Sequence, residues 1–207
     1  MQIETLFFLV ILIFSVIIHE IAHGFVAEMM GDKTARLAGR LTLNPAKHID
    51  PMGSIILPAL MLIGSGGKFV FGWAKPVPYN PYNLRNFKWG TALVGIAGAL
   101  ANLLVAIIFG LMLRYHSMLG ITAGPFSDIL GTIVYTNIIL AVFNLIPFPP
   151  LDGAKVLFAF LPYRFQQIHD YLEQNWVLFI VFVFFFAQYI ISPISGLLFR
   201  VITGYSL

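Results

Sequence analysis

The sequence predicts an α-helical polytopic membrane protein with about four full transmembrane helices, one half-spanning segment and a small β-sheet at the membrane surface. Three observations carry this reading. Of the 207 residues, 59% are hydrophobic and only 10% are charged, against about 25% charged in soluble domains. Several apolar stretches reach the ~20 residues that a bilayer crossing takes. The basic residues fall in the loops between those stretches, where they orient a membrane protein.

The first stretch, residues 5–25, opens on the apolar run from Leu6 to Ile18. That run lacks the basic start and small-residue cleavage site of a secretory signal, so it is expected to persist as a membrane helix. Residues 91–113 and 129–148 form the second and third full spans, and a fourth runs from Trp176 to about Leu198, interrupted by Ser192-Pro193. The segment from Ser54 to Gly64 contains Pro58 and is too short to cross. It is expected to be a re-entrant half-span covered by protein.

Charge placement supports that topology. Lys33, Arg36, Arg40 and Lys47 follow the first span, Lys68, Lys75, Arg85 and Lys88 follow the half-span, and Lys155 and Arg164 follow the third full span. If the Ser54 segment does not cross, all three basic loops share one side and only Arg114 lies in the loop opposite. The N-terminus is then outside, and the far end of the first span faces the cytoplasm. Between the first two full spans, Gly39-Arg40-Leu41-Thr42-Leu43-Asn44 alternates polar and apolar residues as a half-buried strand does. Val70-Phe71-Gly72-Trp73-Ala74 is a second strand candidate, ending at Lys75-Pro76-Val77-Pro78, where prolines allow only an edge strand or a loop. With no repeat or low-complexity tract, residues 1–207 are expected to form one domain.

The pI near 9.2 and formal net charge of +3 come from these scattered loop cations, which suit lipid headgroups rather than nucleic acid. The chain has no cysteine, which excludes disulfides, thiolate ligands and a cysteine nucleophile. Any bound metal must be held by histidine and carboxylate.

His19-Glu20-Ile21-Ala22-His23 supplies such a set: it is an HExxH pattern at the end of a predicted helix. Residues four apart share one helical face, so both imidazoles can converge on one ion. Glu20 is rotated by about 100° from His19 and can act as general base on a water whose pKa zinc brings to about 7. Two histidines and a glutamate in an apolar span cost several kcal/mol unless paired or metallated, and mark function by default. A catalytic zinc needs a third protein ligand. Asp152, in Asn144-Leu145-Ile146-Pro147-Phe148-Pro149-Pro150-Leu151-Asp152-Gly153, is one candidate, placed where prolines end a helix. By itself, Asp-Gly reads more readily as a solvated turn. Asn144 reads either as an amide donor to charge developing in a transition state or as an interhelical hydrogen bond.

The two motifs together, HExxH at His19 to His23 and Asn-x-x-Pro…Leu-Asp-Gly at Asn144, Pro147, Leu151, Asp152 and Gly153, closely resemble the site-2 protease family of intramembrane zinc metallopeptidases. The resemblance implies Asp152 as the third zinc ligand, one Zn2+ per chain, and Asn144 as the amide contacting the substrate carbonyl or oxyanion. Gly39 to Pro45 and Gly72 to Pro78 resemble the compact prokaryotic branch without PDZ or CBS domains, which implies a prokaryotic cell membrane. Gly95-Ile96-Ala97-Gly98-Ala99-Leu100-Ala101-Asn102 resembles the family's glycine-rich middle helix, where small residues allow close packing. Ala99 and Ala154 stand where many relatives carry Pro and Gly.

The substrates implied are transmembrane segments of other proteins, unwound locally before water can reach their peptide bonds. The two strand candidates either pair with such an extended segment or cap the cavity. His48 is expected to bond backbone or solvent, and His116 and His169 have no assigned role. A membrane zinc transporter is the alternative: it would use the same histidines for transient binding, with no need of Glu20 as a base.

Overall fold

A computed structural model describes residues 3–64, 72–118 and 124–205, and it is helical wherever it is regular. In chain order the helices are α1 (Ile3–Met29), α2 (Thr34–Leu37), α3 (Leu57–Gly64), α4 (Phe87–Arg114), α5 (Pro125–Leu145), α6 (Asp152–Phe160), α7 (Gln166–Gln174), α8 (Trp176–Phe182) and α9 (Gln188–Thr203). Four helical stretches are long and apolar enough to cross a membrane: Thr5–Met29, Phe87–Arg114, Pro125–Leu145 and Trp176–Thr203. The last is continuous: α8 and α9 are joined by a π-helical turn at Val183–Ala187, and Pro193 lies inside α9 rather than ending it.

Local chemistry sets the ends. Asn86 accepts a hydrogen bond from Trp89 N at 2.9 Å and starts α4, and Pro125 occupies the first turn of α5. Helix α5 stops at Leu145 rather than 148, because Pro147, Pro149 and Pro150 follow. Gly204, at φ +82°, closes α9 in the left-handed conformation.

The bundle is organised around α4, which packs on α1, α5, α6 and α9. Its buried positions are mostly small: Gly90, Ala92, Gly95, Ala97, Gly98, Ala99, Ala106 and Gly110. Without a solvent-driven force between helices in lipid, close backbone approach of this kind supplies the packing. One apolar cluster joins Ala106, Leu113, Leu130, Val134, Ile138, Val142 and Phe199. A second, of Ala27, Leu84 and Val94, ties the end of α1 to the start of α4. Lys33, Arg36, Arg40 and Lys47, which follow α1, and Lys75 and Arg85, which precede α4, belong to that same end.

The short apolar segment extends further than its sequence suggests. A π-helical turn at Pro51–Ile56, with Asp50 accepting from Gly53 N at 2.7 Å, runs into α3. The stretch is still only ~20 Å long at 1.5 Å per residue, short of a ~30 Å hydrocarbon core. The expected protein cover is only partial among the described residues: Gly53 is buried and Leu57 and Pro58 are half-buried, whereas Leu60 and Ile63 are 62% and 79% exposed. A helix satisfies its own backbone, so cover is not needed.

The predicted β-sheet is a correction: no strand occurs among the described residues. Side chains take the carbonyls a ladder would use, His48 Nε2 donating to Thr42 O at 2.8 Å and Arg40 Nη2 to Lys75 O at 2.7 Å. Gly39, at φ +63°, turns the chain away at the start of the first candidate. In the second, Val70 and Phe71 lie outside the described residues, and the remainder docks on non-strand partners, Trp73 N on Gly53 O and Lys75 N on His48 O. The opposite edge of that run would include Pro76 and Pro78, which have no N–H to offer.

Asp32, fully buried after α1, holds the loops at this end. It accepts from Thr34 N at 3.2 Å, Thr34 Oγ1 at 2.6 Å, Asn80 N at 2.7 Å and Asn83 Nδ2 at 2.9 Å. Burial alone would raise its pKa, but these donors hold it below the ordinary value. A carboxyl depressed in the folded state stabilises above its unfolded pKa of ~3.9 and loses that contribution as pH falls through the folded value. Asp32→Ala is therefore expected to cost about 2–3 kcal/mol at neutral pH, read as a lower unfolding midpoint in detergent. The gap between variant and wild type should narrow below pH ~4.

Candidate metal centre

His19 and His23 lie on successive turns of α1, with ring centroids 4.6 Å apart and planes at 87°. Asp152, the first residue of α6, brings Oδ2 to 3.1 Å from Nε2 of each. All three are buried, and their ligand atoms lie within 4.8 Å of one another. The proline-broken connection after α5 thus does turn Asp152 back against α1.

Gly98 of α4 makes room for this. A Cβ there would sit 2.5 Å from Cε1 and 2.6 Å from both ring nitrogens of His19. Gly98→Ala must displace the imidazole or part the helices. It is expected to weaken metal binding at least ~10-fold by chelator competition, with a stability loss of about 1–3 kcal/mol.

The outer ring nitrogens are anchored, His19 Nδ1 to Asn102 Oδ1 at 2.7 Å and His23 Nδ1 to Val94 O at 2.6 Å. A backbone carbonyl only accepts, so Nδ1 of His23 donates and Nε2 faces inward. That arrangement of an outer N–H on a carbonyl is how metal-bound histidines are oriented. On the other side, Lys155 Nζ holds Asp152 Oδ1 at 2.8 Å, leaving Oδ2 for the centre. Burial opposes ionisation of Asp152, yet the imidazoles of His19 and His23, each with Nε2 3.1 Å from Oδ2, and the charge of Lys155 keep its carboxyl well below the usual range. Burial likewise opposes the Lys155 ammonium, and Asp152 more than restores it. Two imidazole nitrogens and one carboxylate oxygen converging on a point, with the second carboxylate oxygen occupied, fit a zinc ion with an open fourth position.

Glu20 is fixed from the opposite direction. Its Oε2 accepts from Val77 N at 2.7 Å, the one backbone donor between Pro76 and Pro78. Oε1 makes no hydrogen bond among the described residues. Asn144 donates to Leu140 O within its own helix at 2.9 Å and touches none of the triad. Its amide nitrogen keeps a second hydrogen. His48 bonds backbone as expected, and His116 Nδ1 donates to Leu113 O at 3.0 Å. His169 lies near Asp170 and Glu173, whose carboxylates are exposed. A cavity of ≈ 250 Å³ borders Lys155, Tyr79 and His169, beside the triad rather than on it.

Asn102, Asn137, Lys155 and the Val77 N–H are site features that the motifs alone do not reveal. Asparagines inside apolar spans were the available signal for the first two, and the i,i+3 spacing to Asp152 for the third.

The fold and site together define a polytopic membrane protein whose HExxH histidines and distant aspartate form a buried triad that could hold a metal ion. Comparison with known proteins narrows that class. The model of Peptidase family M50 matches residues 119–188. Putative zinc metalloprotease YwhC of Bacillus subtilis is 38% identical over 161 residues, covering 75% of this chain and 69% of that protein. Putative zinc metalloprotease Rip2 of Mycolicibacterium smegmatis is 33% identical over 69% of this chain and 52% of its own length. Zinc metalloprotease MJ0392 of Methanocaldococcus jannaschii is 26% identical over 77% of this chain and 35% of its own length. No solved structure matches the chain. The chain belongs to peptidase family M50, the site-2 protease family of zinc metalloproteases, and these relatives favour an intramembrane protease over a zinc transporter.

Proposed function

We propose that the chain is an intramembrane zinc metalloendopeptidase that hydrolyses peptide bonds within or near transmembrane segments of other membrane proteins. The observation that carries this is the convergence of His19 Nε2, His23 Nε2 and Asp152 Oδ2 beside an anchored Glu20. In this reading one ion is held per chain. Zinc held there supplies Lewis acidity and a water of lowered pKa.

The chain's own groups do the rest. Glu20, fixed through Oε2 by Val77 N–H, keeps Oε1 to accept the proton of the attacking water and later to return it to the leaving amine. Asn144, with one amide hydrogen on Leu140 O, has the other for the substrate carbonyl as it gains charge. Lys155 keeps Asp152 ionised and occupies its Oδ1, leaving Oδ2 free to hold a metal. The substrate must arrive unwound, so helix-weak residues near the scissile bond are favoured. The partners are membrane lipid and single-span substrates, not nucleic acid. With the basic loops and triad at one end of the bundle, the site lies towards the cytoplasmic face of a prokaryotic cell membrane, and Pro51–Met61 is a re-entrant element beside it.

The test is reconstitution with single-span substrates in proteoliposomes. Cleavage should stop on chelation and return with zinc. Zinc flux without any cleavage would overturn the reading in favour of the transporter.

A further inference from the structure

Behind His19 lies a group of polar residues that neither motif contains. Asn102 of α4 and Asn137 of α5 are fully buried, and Ser15 of α1 is nearly so. Asn102 Nδ2 donates to Ser15 O at 3.1 Å and to Asn137 Oδ1 at 2.7 Å. Asn137 Nδ2 donates to Ile133 O and to Ser15 Oγ, each at 2.9 Å. Each amide thereby uses both of its hydrogens.

The direction of these bonds is forced. Ser15 O and Ile133 O are backbone carbonyls and can only accept. Turning either amide over would set carbonyl against carbonyl in a space without water, which costs the desolvation of both groups. Asn137 must therefore present Oδ1 to Asn102, and Asn102 must present Oδ1 to His19 at 2.7 Å. The only group His19 can offer in return is Nδ1–H.

We infer that Asn102, oriented by Asn137 and Ser15, is a positioning residue that holds His19 as its Nδ1–H tautomer, with the Nε2 lone pair turned to the metal position. His23 needs no such device, because Val94 O does the same directly. The chain of bonds links α1, α4 and α5, so the sense of one imidazole is set by amides on two neighbouring spans. The inference rests on the reading of His19 as a zinc ligand.

Two measurements test it. In zinc-loaded wild-type protein at pH 8, with histidine ring nitrogens labelled, His19 should show a protonated Nδ1 and no proton on Nε2 by NMR, its signals assigned by their loss in His19→Gln. An Nε2–H tautomer would overturn the inference without any variant. Next, zinc affinity is measured by chelator competition on the full chain. Asn102→Leu should weaken it ~10–100-fold, as loss of an outer hydrogen-bond partner does. Asn102→Asp keeps an acceptor facing Nδ1 while setting its second oxygen against Ser15 O and Asn137 Oδ1, and should bind zinc clearly more tightly than Asn102→Leu though less tightly than wild type. Equal losses in both would mean that packing, not the acceptor, matters, and would overturn the inference; so would unchanged affinity in Asn102→Leu. If His19→Gln itself left affinity unchanged, the reading of the site would fall first, and this inference with it. Should Asn102→Leu not fold, Asn137→Leu replaces it, with weaker zinc binding expected and unchanged binding counting against the inference.

Discussion

Glu20→Gln is expected to lower cleavage of a single-span substrate by ~10²–10⁴-fold, the range general-base catalysis supplies, while zinc content stays at the wild-type level. The substitution is nearly isosteric. An amide oxygen can still accept from Val77 N, 2.7 Å from Oε2 in the native chain, so the loop from 72 to 80 should remain in place. Glutamine cannot take a proton from water, and the proposed ligands His19, His23 and Asp152 are untouched. Initial rates in proteoliposomes, read beside metal content and the unfolding midpoint, separate these effects. Robust cleavage by the variant would remove Glu20 from the mechanism, and loss of zinc would make it a ligand.

Asp152→Ala should be the most damaging single change to both stability and metal binding. It removes one of the three proposed ligands, and it leaves the Lys155 ammonium, whose side chain is only 29% exposed, without the carboxylate 2.8 Å away. An abandoned buried charge of this kind costs about 3–5 kcal/mol. The two losses can be separated. Adding Lys155→Met removes the stranded charge and should return most of the unfolding midpoint, but it restores neither zinc nor cleavage. If the double variant stays as unstable as the single one, the ion pair is not what holds α6 in place. If Asp152→Ala retains zinc at native affinity, Asp152 is not a ligand.

Much of the architecture was legible because lipid leaves few solutions. Long apolar stretches must become helices, and all four spans appear, displaced by a few residues where Asn86, Pro125 and Pro147 supply caps and stops. His19, Glu20 and His23 were legible for a related reason: polar groups in an apolar span must have partners. Asp152 was not legible alone, since its return to α1 depends on how α6 lies against α4, which no local pattern encodes. The surface sheet failed because alternation between residues 39 and 44 reports one face turned inward and nothing about a ladder. Arg40 and His48 compete for the carbonyls, and their reach is a tertiary fact. Asn102 and Asn137 are 35 residues apart, on separate spans, and their pairing is visible only once α4 and α5 are side by side.

The small-residue face of α4 has a consequence for how this chain can vary. The helix carries no member of the triad, and its charged residues, Lys88 and Arg114, lie at its two ends, yet Gly98 decides where the His19 ring lies and a Cβ at Gly95 would meet Lys155 Cβ and Asp152 O at about 3 Å. In a library of random variants selected for activity, the spans bearing the ligands should accept many apolar exchanges at their exposed positions. The least forgiving positions outside the triad should fall on α4, where a single added methyl group acts on the reaction from a distance.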